Sequence, residues 1–338
     1  MKAALSFGSR NVRVVEVDTP QPKAGQVLVE VHASGICGSD KHLWHSTKPS
    51  NTVYGHEVAG KLVELGPGVS TLGVGDRVAV NNVGGCGTCP ACREGAFVLC
   101  PSWDGSLDIN GGFGEYVAAW ERNCMTLADT VSYEQGCLLF DNFGTPYAAL
   151  ERAGVSGKDS IVVSGCGPIG LGAVCLAALR GAHVVAIDPF PNRQAMARTL
   201  GATDALAPEE APAEVLRRLC PDAGPRVALE CSSQPSSYET ALHALRAEGV
   251  LVTVGEGAKY ELRPSDTLIR HRLSIMGSWY STMAQGAAVH SMVAAGQLDP
   301  ALLVTHRRSL ADFPDLFRLV CEQPGEVVKA VVVAGEAA

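Results

Sequence analysis

The sequence predicts an α/β protein in which a doubly wound, parallel-sheet domain interrupts a β-rich one. Three features of its 338 residues point there. Residues 148–285 alternate short apolar runs with helical periodicity, the pattern of βαβ units. A glycine-rich turn stands at the first strand-to-helix junction of that region. Before it, residues 1–147 carry short β-branched runs broken by Gly and Pro, and residues 286–338 follow it with helical stretches and a last strand. The length suits two or three domains.

Taken in order, Val27 to Val31, Val58 to Glu64 and Asp76 to Val80 read as strands of the first β region. The middle region then reads as strand Ile161 to Ser164, helix Ile169 to Arg180, strand Val184 to Ile187, helix Arg193 to Leu200 and strand Arg226 to Glu230. A helix at Tyr238 to Arg246 and a strand at Val250 to Val254 continue the alternation. The tail adds helices at Ala287 to Ala295 and Asp312 to Val320, and a last strand at Val327 to Val333. Ser160 to Leu179 is twenty residues without a charge, long enough for a membrane span, but its glycines and Pro168 divide it into strand, turn and helix.

Composition narrows the classes. Hydrophobic residues make up 46% and charged ones 18%, the balance of a packed chain rather than a disordered one. With 27 Lys and Arg against 35 Asp and Glu, the net charge of -8 lacks the basic footprint needed on nucleic acid or anionic membranes. Neither is expected as a partner. The 12 cysteines are many for such a chain, yet Met1 to Asp18 carries no apolar export segment, so the expectation is a soluble, cytoplasmic protein with reduced thiols.

Four of those thiols, Cys86, Cys89, Cys92 and Cys100, fall in one Gly-rich loop of about residues 84–102, the spacing of a closed, tetrahedral structural zinc site. Free buried thiols would be scattered on apolar faces instead. A second group is sparser: Cys37, Ser39, Asp40 and His42, then His56 and Glu57. Cysteine, imidazole and carboxylate are the donors of a catalytic zinc, although a buried Cys and a core His 19 residues apart also arise without metal. Asp40 suits an outer partner orienting an imidazole, and Ser39 with His42 suits a proton relay from an alcohol to solvent.

The third group is Gly165, Gly167, Pro168, Ile169 and Gly170 between strand and apolar helix, the dinucleotide-binding fingerprint. Asp188 ends the next strand, 23 positions after Gly165, where a carboxylate accepts from the adenosine ribose hydroxyls and repels a 2′-phosphate. NAD is therefore expected over NADP.

Together these residues resemble the zinc-containing medium-chain alcohol dehydrogenases, in particular the branch of polyol (sorbitol-like) and threonine dehydrogenases. The likeness spans nearly the whole chain and includes Gly112-Phe113-Gly114-Glu115-Tyr116 and Gly277-Ser278. It implies a GroES-like catalytic domain (1–147 and 286–338) split around a Rossmann NAD-binding domain (148–285), with the active site in the cleft between them. It further implies catalytic zinc on Cys37 and His56, with Glu57 ligating or exchanging with water. Asp141 falls at the remaining ligand position, where Cys or Glu is usual; one methylene shorter than Glu, it is expected to bind directly or through water. Thr145 matches the residue against the nicotinamide, Ser39 and His42 the relay, and Arg193 either an adenosine contact or a solvated helix arginine. The implied reaction oxidises a secondary alcohol of a polyol, cyclitol, sugar or amino alcohol to a ketone. L-Threonine is the alternative substrate, and a homodimer or homotetramer is the implied assembly.

Two rival readings stand beside this one. A zinc-independent enone or quinone reductase of the same fold would lack Cys37, His56 and the four-cysteine loop, and a non-enzymatic nucleotide- and zinc-binding protein would need no relay. Trp44, His45, Tyr54 and Phe113 lie where a pocket is placed in the family, with simple packing as the plainer reading. The other seven cysteines and six histidines read as core or surface residues.

Overall fold

A computed structural model describes residues 1–257 and 259–334. Its strands are β1 (Lys2–Ser6), β2 (Val12–Glu16), β3 (Gln26–Gly35), β4 (Glu57–Leu65), β5 (Arg77–Val80), β6 (Tyr116–Trp120), β7 (Cys124–Thr126), β8 (Ser160–Ser164), β9 (His183–Ile187), β10 (Asp204–Leu206), β11 (Val227–Glu230), β12 (Val250–Thr253), β13 (Ser274–Gly277), β14 (Val304–Ser309) and β15 (Lys329–Val333). Its α-helices are α1 (His42–His45), α2 (Pro90–Arg93), α3 (Tyr133–Cys137), α4 (Thr145–Arg152), α5 (Pro168–Leu179), α6 (Pro191–Thr199), α7 (Ala213–Leu219), α8 (Pro235–Ala244), α9 (Met283–Ala294) and α10 (Phe313–Glu322). Two compact units result, one of Met1–Asp141 with Ser281–Ala338 and one of Asn142–Tyr280. The boundaries read from composition, 147/148 and 285/286, lie a few residues beyond these divisions, inside α4 and α9.

The second unit is a six-stranded sheet in the order β10-β9-β8-β11-β12-β13, parallel throughout. This is the doubly wound arrangement that places a ligand where the strand order reverses, at the ends of β8 and β11. Helices cover the sheet, so central strands are apolar along their whole length: every residue of β8 and β11 is buried. The uncharged stretch 160–179 divides into β8, the glycine turn and α5, and among the described residues no helix is long and apolar enough to cross a membrane.

In the first unit β1 and β2 form a hairpin, and a mixed sheet runs β14-β15-β3-β4-β5-β7 with β6 also on β3. Helix α10 packs one apolar face, Phe313, Leu316, Phe317 and Val320, into a cluster with Ile36, Leu43, Trp44 and Phe113. Two pairings matter for chemistry. Gly35 at the end of β3 lies opposite Glu57 at the start of β4, and Val331 of β15 lies opposite Gly35 on the other side. Residues following β3 and those preceding β4 are thereby brought to one end of the sheet. Short or exposed strands such as β10, β13 and β14 have no distinct sequence signature, because three to six residues with polar members do not show period two clearly.

Candidate active site

That sheet end gathers Cys37, His56, Glu57 and Asp141, whose ligand atoms all lie within 4.8 Å of one another. Cys37 caps a short 3-10 turn, Gly38–Lys41, and Asp40 folds back so that its Oδ2 accepts from the Cys37 N–H at 2.9 Å. Its other oxygen stands 3.5 Å from His56 Nδ1, while His56 Nε2 is 3.4 Å from Asp141 Oδ2. Asp141 comes from a π-helical turn, Leu139–Gly144, a geometry found disproportionately at functional sites.

Burial and the close approach of these groups set the electrostatics of the cluster. Burial and the Asp141 charge push the Cys37 thiol up, and burial pushes Glu57 up to about 7 despite the opposing charge of Lys329. For His56, burial favours the neutral ring, but hydrogen bonds to Asp141, Asp40 and Cys37 outweigh it and hold the imidazole well above its ordinary range. Asp141 is driven up by burial and pulled further down by His56 and Lys329, ending below the usual carboxylate range. Glu57 Oε2 is buried and has no hydrogen-bond partner. One imidazole, one thiol and two carboxylates converging on an unsatisfied buried oxygen fit a divalent, zinc-like ion.

His42 is exposed, and its Nδ1 lies 2.7 Å from the Ser39 carbonyl. A carbonyl only accepts, so Nδ1 carries the proton and the neutral ring presents Nε2 as the acceptor. Tyr54 meets His42 edge-on, with ring centroids 5.4 Å apart. Trp44 and Phe113, by contrast, are core aromatics packed on Phe317 and Phe313, and His45 is exposed.

The four-cysteine loop closes a second group, with all four sulfurs within 4.8 Å. Cys89 caps α2 and accepts from the Cys92 N–H at 3.4 Å; Cys100 accepts from the Cys86 N–H at 3.4 Å. Hydrogen bonds from Thr88 bring the half-buried Cys86 thiol down to about 5, while burial sends Cys92 up to about 12. With all four donors supplied by one loop, the group fits a closed structural zinc site. None of the twelve cysteines forms a disulfide, and burial raises the pKa of the seven outside these two groups.

In the second unit Gly165 takes φ +90° and turns the chain from β8 toward α5. Gly167 opens α5 with nothing within 4 Å of where its Cβ would be, leaving room for a pyrophosphate at the helix N-terminus, with Pro168 and Ile169 in its first turn. Asp188 is buried at the end of β9, accepting from Cys166 N–H at 2.8 Å and Phe190 N–H at 2.9 Å. Arg193 Nη1 stands 3.7 Å from Asp188 Oδ2, and its guanidinium lies over the Phe190 ring, so it belongs to this corner rather than to an open helix face. Thr145 is buried at the start of α4.

Sequence reasoning missed Lys329. It is buried in β15, and its Nζ donates to Glu57 Oε1 at 2.6 Å and to the Ile36 carbonyl at 2.9 Å. Its signal was a single charge inside the apolar run Val327 to Val333.

Residues 23–129 match the alcohol dehydrogenase GroES-like domain family, and residues 168–295 match the zinc-binding dehydrogenase family. The chain is 31% identical to sorbitol dehydrogenase of Bacillus subtilis over 98% of its own length and 97% of that protein. It is 30% identical to L-threonine 3-dehydrogenase of Pyrococcus horikoshii, covering 97% of each chain. Among solved structures, alcohol dehydrogenase TADH from Thermus sp. ATN1 superposes with a TM-score of 0.89 at 29% identity, over 98% of this chain and 99% of that one. With this architecture, these two cysteine-bearing clusters and likeness over the full length, the chain belongs to the zinc-containing medium-chain alcohol dehydrogenases, on their polyol branch.

Proposed function

We propose that the protein oxidises a secondary alcohol of a polyol, cyclitol or sugar to a ketone, passing hydride to NAD. The observation that carries this reading is the convergence of Cys37, His56, Glu57 and Asp141 around the partnerless Glu57 Oε2. These residues would hold a catalytic zinc, which as a Lewis acid lowers the pKa of an alcohol hydroxyl. Asp40 orients His56 and the Cys37 backbone together. Ser39 and His42 carry the released proton outward, and the Nδ1 tautomer set by the Ser39 carbonyl leaves Nε2 to accept it. Gly165, Gly167 and Gly170 would admit the pyrophosphate, Asp188 and Arg193 would serve the adenosine ribose, and Thr145 would lie on the nicotinamide side. Cys86, Cys89, Cys92 and Cys100 would hold a second, structural zinc. The carboxylate of Asp188 favours NAD over NADP.

A second reading, oxidation of the L-threonine hydroxyl, is supported by the likeness to an archaeal L-threonine 3-dehydrogenase. Self-association as a dimer or tetramer is proposed through edge strand β13, beside the exposed Ile269 and Trp279. Metal analysis, with a screen of NAD reduction across polyols, cyclitols, sugars and L-threonine in the presence and absence of a chelator, tests the whole. Two zincs per chain and chelator-sensitive turnover are expected. Turnover that survives in Cys37→Ala freed of that zinc sinks the mechanism.

A further inference from the structure

We propose that Arg122 is the charge-compensating partner of the four-cysteine loop, and that its guanidinium governs how tightly the loop retains its metal. The inference rests on reading Cys86, Cys89, Cys92 and Cys100 as a zinc site.

Arg122 lies outside the loop, in a 3-10 turn, Glu121–Asn123, that joins β6 to β7. Its neighbours anchor that turn on both sides. Asn123 is fully buried and donates to the carbonyls of Asn81 and Val83 at 2.8 and 2.9 Å, fixing the turn to the chain that enters the loop. Glu121 spends its carboxylate elsewhere, accepting from the Ser70 N–H at 2.8 Å and the Thr71 hydroxyl at 2.7 Å. Arg122 thus meets the loop with its charge unclaimed by the carboxylate beside it in sequence.

The guanidinium touches both the Trp120 ring and the loop backbone. Its carbon lies 4.5 Å from the Trp120 ring centroid, and Nη2 donates to the Gly85 carbonyl at 2.8 Å. Gly87, at φ +78°, permits the approach: a Cβ there would stand 3.2 Å from Arg122 Cζ and 3.3 Å from Nε. These two glycines flank Cys86, so the cation is held against the backbone that carries the first thiol. Nε is buried and has no hydrogen-bond partner. Burial lowers the Arg122 pKa, and the charges of Cys92 and Cys86 oppose that fall.

Charge explains why a cation belongs at this place. Four thiolates outweigh the two positive charges of a zinc ion, and Cys92 and Cys100 are buried, where water compensates poorly. Within residues 84–102 the one basic residue is Arg93, exposed at the end of α2 beside Glu94. Arg122 supplies positive charge from outside the loop, and its Nε–H is the donor still free for a thiolate sulfur. A fixed cation beside this anionic complex favours the loaded state, and its removal favours release of the ion to a competing chelator.

The test follows zinc release from the full-length protein to a chromophoric chelator in wild type, Cys89→Ser, Arg122→Gln and Arg122→Lys. The release phase that Cys89→Ser abolishes belongs to the loop. In Arg122→Gln that phase should run about 10- to 100-fold faster, the range typical of changes just outside the ligands, while release of the remaining equivalent is unchanged. Arg122→Lys keeps the charge and should restore slow release. An unchanged loop phase in Arg122→Gln overturns the proposal. So does a phase as fast in Arg122→Lys as in Arg122→Gln, which makes packing on Trp120 responsible rather than charge. Faster release of both equivalents together marks general destabilisation and overturns it as well. Should Arg122→Gln fail to fold, Arg122→Lys decides: retention as in wild type is expected, and release about tenfold faster overturns the proposal. A wild-type chain with no phase that Cys89→Ser abolishes overturns the zinc reading of the loop itself, and this inference with it.

Discussion

Gly170 packs against Gly165 so closely that a Cβ at Gly170 would stand 1.8 Å from the Gly165 carbonyl oxygen. The contact seats the first turn of α5 on the end of β8 and sets where the helix N-terminus points. Gly170→Val should therefore cost about 1–3 kcal/mol, the usual penalty of overpacking, and weaken dinucleotide binding at least tenfold. Urea unfolding and NADH fluorescence titration read the two effects; a variant that binds NADH as wild type would show that the turn does not carry the pyrophosphate.

Asp188 spends one hydrogen bond on each of two backbone N–H groups, from Cys166 and Phe190, and thus shapes the same turn it is proposed to serve. Asp188→Asn keeps an acceptor for one of them while removing the charge. The ratio of kcat/KM for NAD over NADP should fall by about tenfold, equivalent to about 1.4 kcal/mol. An unchanged ratio removes Asp188 from cofactor choice.

For the four-cysteine loop, Cys89→Ser removes both a metal donor and the sulfur that caps α2. Metal content should drop by about one equivalent per chain and Tm should fall by several degrees, because a structural zinc contributes directly to folding. Retention of both equivalents would argue that the loop binds no zinc.

Acid sensitivity should have an identifiable contributor in the second unit. Burial raises the Asp159 carboxyl, but hydrogen bonds from Arg226 and from the Ser156 amide and hydroxyl outweigh it and hold its pKa below the usual value. A carboxylate depressed in the folded state stabilises above its unfolded pKa of about 3.9, and that stabilisation is lost as pH falls through the folded value. Asp159→Asn should accordingly be less stable than wild type at neutral pH and show a shallower loss of stability below about pH 5. Parallel urea curves from pH 6 to pH 2.5 check this, and identical slopes would exclude Asp159 as a contributor.

Much of the candidate site was legible from the chain because its parts are local. Cys86 to Cys100 lie in one loop, and Gly165 to Gly170 is one turn, so spacing alone implies geometry. Cys37 and His56 were legible only as donor types: their separation of 19 positions does not say that Gly35 pairs with Glu57, the register that brings them together. Strands β8, β9, β11 and β12 were readable from continuous apolar runs, since a sheet covered on both faces buries all of β8 and β11 and the centres of β9 and β12. Strand β14, with His306 half-buried and Arg307 and Arg308 exposed, has no such run.

The sequence by itself determined the donor sets, the glycine turn with the acidic residue that follows it, and the alternation that makes a doubly wound sheet. Only the tertiary structure decided how those residues are held. Asp40 faces both Cys37 and His56, and Arg193 folds onto Asp188 and Phe190 instead of solvent. Lys329 pairs with Glu57 across 272 positions of chain. Short-range motifs are written in the backbone's own periodicity, whereas a buried charge finds its partner only when distant strands are laid side by side and water is excluded between them.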